Sequence, residues 1–417
     1  MLLVFEHAVR VESADAVWPA MAYEHSAAKA PFAVAAVCRR WRELALSTST
    51  LWTYFGFPPA DEMDRRHQQR AELLRLRAGN APIDVVFGWR SECYVAALKN
   101  DAARSIFDEI LNMGSRWKNV VLHVSRGWKI DRLLLSCQWT FLEQLSLAAQ
   151  EIPSIIPTAP FLRRLWLDCD ACLVSDPFVV AGYPSLRVFS LFCDSIALIN
   201  GFGLAFGQQL TELVLIDDVG SLSEQGTIPM FTFPVLRQLT IDDGRWLHFV
   251  DAPTLINLTV THLYIERATA EILRRFDHVK TLGICGEFNQ ERLEPLKELR
   301  NITTLSFLCP MALAAGLQGA RDYYTIATGT LRSLAQLEPP IWPQLQCLYC
   351  DPFAPGARTS IGAICAEELL EFVAARNTRL VDSDTTSTAR IVEAIADYPD
   401  APDWLKEQLR QLVAIND

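Results

Sequence analysis

One hydrophobic pattern recurs along most of this chain: apolar-x-x-apolar-x-apolar. It appears as WKNVVL at 117–122, LEQLSL at 142–147, LRRLWL at 162–167 and LRVFSL at 186–191. It continues as LTELVL at 210–215, LRQLTI at 236–241, LINLTV at 255–260 and VKTLGI at 279–284. ITTLSF at 302–307 and LQCLYC at 345–350 complete the set. Successive hexads start 25, 20, 24, 24, 26, 19, 24, 23 and then 43 residues apart. The last gap has room for two repeats, and TLRSLAQL around Leu331 is the candidate for a degenerate copy.

The last two apolar positions of each hexad are two residues apart, which puts both on one face of a short strand. Pro160, Pro184, Pro234, Pro253 and Pro343 each stand two residues ahead of a hexad. A proline there fixes the approach to the strand and removes no ladder donor. A unit of about 24 residues cannot bury its own apolar edge, but stacked units bury a continuous one.

The segments around the hexads read differently. PADEMDRRHQQRAELLRLRAG (59–79) predicts a charged helix ending at Gly79, and IDVVF (83–87) an opening strand. DAARSIFDEILNM (101–113) has the apolar spacing of an amphipathic helix. Towards the end, CAEELLEFVAARN (365–377), ARIVEAI (389–395) and WLKEQLRQLVAI (404–415) predict helices, with Asp400, Pro402 and Asp403 as start chemistry for the last. Near the beginning, Val34, Val37, Cys38, Trp41, Leu44 and Ala45 recur at helical spacing, with Arg39, Arg40, Arg42 and Glu43 on the other side. One helix is expected there, begun by Pro31 and ended by the STST run at 47–50, with Leu51 and Trp52 opening a second element.

The hexad array resembles a leucine-rich repeat solenoid of the long, helix-containing type. The resemblance implies an α/β fold with short parallel strands on a concave face, helices and loops on the convex one, and a partner held on the strands. In that register the outward, target-binding candidates are Arg164, Trp166 and Asp168, then Val188, Ser190 and Phe192, then Glu212, Val214 and Ile216, then Gln238, Thr240 and Asp242. Asn257, Thr259, Thr261, Cys347, Tyr349 and Asp351 follow. Trp166, Phe192, Val214 and Ile216 form either an exposed apolar patch or a surface covered by a loop or the C-terminal tail.

The phrase VCRRWRELA…LW resembles the second half of an F-box, the three-helix motif that binds the Skp adaptor of SCF-type (cullin–RING) ubiquitin ligases. MLLVFEHAV supplies Leu2, Leu3 and Phe5 in the register of the first half, although the family's Leu-Pro pair is absent. Together with the RWKNVVL phrase and the EELLEFVAAR helix, this resembles the expanded F-box families of mushroom-forming fungi. The resemblance implies adaptor contacts at Leu3, Phe5, Val37, Cys38, Trp41, Leu44, Leu51 and Trp52. It also implies a non-catalytic substrate receptor that brings an unknown target protein to partner enzymes. The corresponding layout is an N-terminally incomplete F-box-like all-α unit (1–57), a connector with an opening repeat (58–116), leucine-rich repeats (117–380) and a capping segment (381–417). An adaptor-independent repeat scaffold is the alternative.

Composition narrows the remaining classes. Of 417 residues, 50% are hydrophobic and 21% charged, so a large core is expected rather than disorder. A net charge of -11 argues against general nucleic-acid binding. Apolar runs fall far short of the roughly 20 residues that span a bilayer, and Glu6 and His7 interrupt any signal-like segment. A cytoplasmic or nuclear protein without a membrane partner is therefore expected. Cys169 and Cys172 form one CxxC pair and Cys347 and Cys350 another, 175 residues apart, so thiols rather than a zinc site are expected. Neither HExxH, GxSxG nor a phosphate-cradling loop occurs, and no enzyme activity, cofactor or metal is expected.

Overall fold

The computed structural model describes residues 25–88, 100–124, 138–148, 158–168, 183–192, 206–216, 230–242, 244–260, 267–284, 288, 290–308, 329–336, 341–351, 369–377, 389–396 and 403–414. The chain divides into two compact units, Met1–Phe206 and Gly207–Asp417. Each is α/β and is built on parallel strands.

In the first unit, helices α1 (His25–Val37) and α2 (Arg39–Ser47) precede β1 (Tyr54–Gly56), α3 (Arg65–Ala78), β2 (Ile83–Phe87) and α4 (Asp101–Asn112). Strands β3 (Trp117–His123), β4 (Gln144–Ala148), β5 (Arg164–Asp168) and β6 (Val188–Phe192) then follow. The strands pair in chain order, every neighbour parallel. The second unit orders β7 (Glu212–Ile216), β9 (Gln238–Ile241), β11 (Asn257–Val260), β12 (Thr281–Ile284), β13 (Thr304–Leu308), β14 (Cys347–Asp351) and β15 (Glu393–Ala396) in the same way. A separate parallel pair joins β8 (Phe231–Thr232) to β10 (Val250–Asp251).

Each of the ten hexads supplies one strand, and the strands stack in register. Leu145 stands opposite Leu165, which stands opposite Phe189. In the second unit Leu213, Leu239, Leu258, Leu282, Leu305 and Leu348 form an unbroken ladder. All of these are buried, as are the first apolar residues of the hexads. The prolines explain the approach. The N–H of Leu162, Leu186, Leu236, Leu255 and Leu345 each donates to the carbonyl three residues earlier, closing a β-turn with proline at its second position. The turn's first residue is buried and alternates in size: Trp139, Ala159, Tyr183 in one unit and Phe233, Ala252, Phe276 in the other. Large rings thus pack over small neighbours at close-packed density.

The residue immediately before each hexad forms a column along the turn edge, and most of its members reach back one repeat. Arg116 donates to the Ala81 carbonyl at 2.9 Å, Ser185 to Pro160 at 2.7 Å and Thr254 to Pro234 at 2.9 Å. His278 Nε2 lies 3.1 Å from the Ala252 carbonyl, Asn301 donates to Asp277 at 2.6 Å and Gln344 to the Asn301 amide oxygen at 3.4 Å. These side chains tie each repeat to the one before it, mostly at backbone carbonyls of the preceding turn.

Five expectations need correction. TLRSLAQL supplies no strand, since 329–336 is helical and β13 pairs directly with β14. The next strand instead comes from 391–396, expected as a helix; Ile391, Ala394 and Ala396 fit the hexad pattern with alanines, too weakly apolar to stand out. The opening helix is two helices, broken at Cys38, whose backbone is extended and whose sulfur accepts the Trp41 N–H at 3.5 Å as a cap. Pro31 lies inside α1 rather than at its start, in a helix held by burial of Ala27 and Ala28 against Tyr54 and Val86. The first span, 1–57, also contains β1, which pairs with β2 and so belongs to the sheet. Asp400 and Pro402 lie outside the described residues; Asp403 opens the last helix, Asp403–Ala414.

The other expected helices hold. Asp64 caps α3 by accepting from the Arg66 and His67 N–H groups, and His67 Nδ1 accepts from the Asp64 N–H in return. The backbone bond from His67 heads the interactions that hold the Asp64 carboxyl below its ordinary range. At the far end Trp342 has φ +55, a left-handed backbone disfavoured for a bulky residue. Arg376, in the helical run 369–377, is buried and donates to the carbonyls of Ile341 at 3.2 Å and Trp342 at 2.5 Å. Burial pulls its pKa down to about 10. Arg376→Met removes the side-chain donor to the Ile341 carbonyl and leaves the Trp342 carbonyl with the Leu345 N–H alone; it is expected to cost about 1–3 kcal/mol, read as a lower urea midpoint by tryptophan fluorescence. An unchanged midpoint would show that those carbonyls are satisfied without Arg376.

Candidate functional site

The helical unit is organised around Trp52. Its indole is fully buried, donates from Nε1 to the Ala45 carbonyl at 2.7 Å and receives the edge of Phe32 at 5.2 Å. The guanidinium of Arg77, on α3, stands 4.1 Å from the Trp52 ring centroid and 5.8 Å from that of Phe32. Leu51 is buried beside it. Leu51 and Trp52, two of the residues implied as adaptor contacts, therefore belong to the interior.

The others sit at the elbow between α1 and α2. Val37 is 60% exposed, Cys38 is exposed, and Trp41 and Leu44 are half-buried. Arg42 crosses the elbow to the Ala35 carbonyl at 3.1 Å. Leu46, near the far end of α2, is also exposed, at 46%, and lies off the apolar stripe on which the sequence reading rested. Leu3 and Phe5 lie outside the described residues.

The face of the strands opposite the leucine ladders is the second candidate surface. In the first unit its central row runs Val86, Val121, Ser146, Trp166, Ser190, with Asp84, Asn119, Gln144, Arg164 and Val188 on one side and His123, Ala148, Asp168 and Phe192 on the other. This face is not open along its length. Tyr54 and Val86 are covered by α1, and Val121, Ser146, Trp166 and Ser190 are all buried. Trp166 is only 4% exposed, stacked at 5.7 Å on His123 and tilted against Phe192 at 5.1 Å. Because His123 and Trp166 are two strands apart, their rings meet across β4, over Ser146 and Ala148. Asp84 accepts from Asn119 at 2.7 Å, and burial raises its pKa.

Trp166 and Val214 are therefore interior residues, whereas Arg164, Asp168, Phe192, Glu212 and Ile216 are half-buried and Gln238 is exposed. Val188, Thr240, Asn257 and Thr259 are also half-buried. Asp242 is buried and accepts the Trp246 indole N–H at 3.2 Å, a structural role that the Asp-Asp sequence alone did not reveal. Thr261 lies outside the described residues.

Among the described residues, no group of three His, Cys, Asp or Glu side chains is placed to hold a metal. Cys347 donates to Glu393 Oε2 at 3.5 Å, and Tyr349 donates to the same oxygen at 3.2 Å. Burial, then the neighbouring carboxylate, pushes the thiol pKa up, away from the reactive thiolate. Cys169 and Cys172 lie outside the described residues. No described helix is long and apolar enough to cross a membrane. No protein-family model and no curated protein matches the chain.

His123 gives this face a measurable signature. Its Nε2 is enclosed and has no hydrogen-bond partner among the described residues, and burial pushes its pKa down to about 4 from an ordinary 6.5. The unfolded chain thus binds the extra proton between these values, and stability falls as pH drops from 6.5 towards 4. At about 1.4 kcal/mol per unit the loss reaches up to roughly 3 kcal/mol. A His123→Phe variant is expected to lose Tm less steeply than wild type over that window; parallel slopes would contradict a neutral, buried His123.

Proposed function

We propose that this chain is a non-catalytic substrate-recognition subunit of an SCF-type ubiquitin ligase, combining an F-box-like helical unit with a leucine-rich repeat solenoid. The observation that carries the reading is the unequal treatment of apolar residues in the helical unit. Leu51 and Trp52 are fully enclosed, whereas Val37 and Cys38 face water where α1 meets α2, and Trp41 and Leu44 on α2 are only half-buried. A helical pair that only capped a stack of strands would turn these residues inward. An apolar elbow left in water has the character of a docking element. The in-register ladder supports the repeat half of the reading, since each hexad contributes one strand to a stack of like units.

In this reading the protein breaks and makes no covalent bond. Its contribution is effective concentration: the elbow holds the Skp adaptor while the repeats hold a target protein within reach of the transferring enzyme. The face of β3–β6 is closed at its centre, so in this reading the target meets half-buried positions such as Arg164, Asp168 and Phe192, and Gln238 and Glu212 in the second unit.

Co-purification of the full chain with the Skp adaptor of its own organism tests the reading. A stoichiometric complex is expected, weakened about tenfold or more by Val37→Asp and by Trp41→Ala with little change in melting temperature. Trp52→Ala should instead lower stability, by about 3–5 kcal/mol. If folded wild type binds no adaptor at micromolar concentration, the ligase role falls and an adaptor-independent repeat scaffold replaces it.

A further inference from the structure

The column of residues preceding the hexads contains an anomaly. Where Arg116, Ser185, Thr254, His278, Asn301 and Gln344 brace the preceding repeat, the same position in two consecutive repeats of the first unit holds Phe141 and Phe161. Their equivalence follows from the β4–β5 register, in which Gln144 and Arg164, each three residues later, stand opposite one another. Both rings face water, at 47% and 58% exposure. A phenylalanine donates no bracing bond, and the adjacent repeat shows that serine fits the position and supplies one. The stack therefore gives no reason for two neighbouring exposed rings. Neighbouring strands lie about 5 Å apart, so phenylalanines at the same place in adjacent repeats instead present a small apolar platform.

The platform is bordered by positive charge. Backbone bonds from Glu143 N–H to the Lys118 carbonyl, from Arg163 to Glu143 and from Arg187 to Arg163 place Lys118, Glu143, Arg163 and Arg187 in one row at the strand entrances. Arg163 and Arg187 are exposed, and Arg164 follows directly. The row holds a single carboxylate, Glu143, and its contact with Lys118 is long at 3.9 Å. In a chain of net charge -11 this is a local reversal of sign. Charge of this kind selects and steers an acidic partner, while the rings supply the desolvated anchor.

We propose that the Phe141–Phe161 edge docks an acidic linear segment of a partner protein. The segment seats bulky apolar side chains against the two rings and its carboxylates near Arg163 and Arg187. This surface is separate from the α1–α2 elbow, and the proposal does not depend on adaptor binding.

Fluorescence anisotropy with the full chain tests it, using a short glutamate-rich peptide carrying two phenylalanines, the same peptide with lysine for glutamate, and a short oligothymidylate. Saturable binding of the acidic peptide alone is expected, weakening with salt. The double variant F141S/F161S and the single variant R163E should each reduce that affinity about tenfold or more without lowering the melting temperature, serine being the residue of the next repeat. Absence of saturable binding, equal binding by F141S/F161S, or preference for the oligonucleotide would overturn the proposal. So would concentration-dependent self-association of wild type that F141S/F161S abolishes, because the occupant would then be a second copy of the chain.

Discussion

A parallel strand of four or five residues makes no ladder bonds to its own sequence neighbours, and this constraint governs the architecture. Every N–H and carbonyl in β3–β6, and in β7–β15 of the second unit, must be met by a strand from another repeat. In-register pairing meets the demand with one rule: equivalent residues stand opposite one another. Like then stacks on like, and a leucine at one hexad position becomes a continuous apolar ladder. The intervals of 19 to 43 residues vary because only the strand and its turn must match, not the chain between them.

The turns are where one repeat is fastened to the next. Proline fixes the bend, a buried residue of alternating size fills the layer beneath, and a polar side chain reaches back to a carbonyl. Small residues on β4 perform a comparable service on the opposite face, where Ser146 and Ala148 leave room for Trp166 and His123 to meet. Room made by one strand is filled by its neighbours, so the identity of a residue is intelligible only against the repeats on either side.

Much of the strand framework was legible because parallel stacking writes itself into the sequence as a period. Strands with leucine at the ladder positions stood out; β15 did not, because Ala394 and Ala396 fill the same places with little apolar surface. The break at Cys38 was hidden for a different reason: apolar residues on both sides keep helical spacing, and only the extended backbone of Cys38 separates them. At the candidate site, the register identified which face each residue lies on, but not what covers it. Trp166 and Phe192 had the parity of surface residues, yet Trp166 is enclosed by rings from two other strands, contacts set by a pairing of distant segments. The helical unit was legible by its phrase, while the enclosure of Trp52 depends on Phe32 of α1 and Arg77 of α3.

The Trp342 turn carries a consequence for the order in which the chain assembles. Its left-handed residue is held by Arg376, a side chain that emerges from the ribosome after both carbonyls it serves. Asn377, the next residue, accepts from the Ile391 N–H at 3.1 Å and donates to the Leu412 carbonyl at 3.2 Å, tying β15 and the final helix to the same point. The earlier repeats of the second unit can add one after another as they are synthesised, each finding its partner already in place. The last ones cannot: the bend at 342, the strand at 393–396 and the closing helix wait on two adjacent residues and lock together. A nascent chain that stops short of residue 376 therefore carries the turn without the side chain that holds it, however complete its earlier strands are.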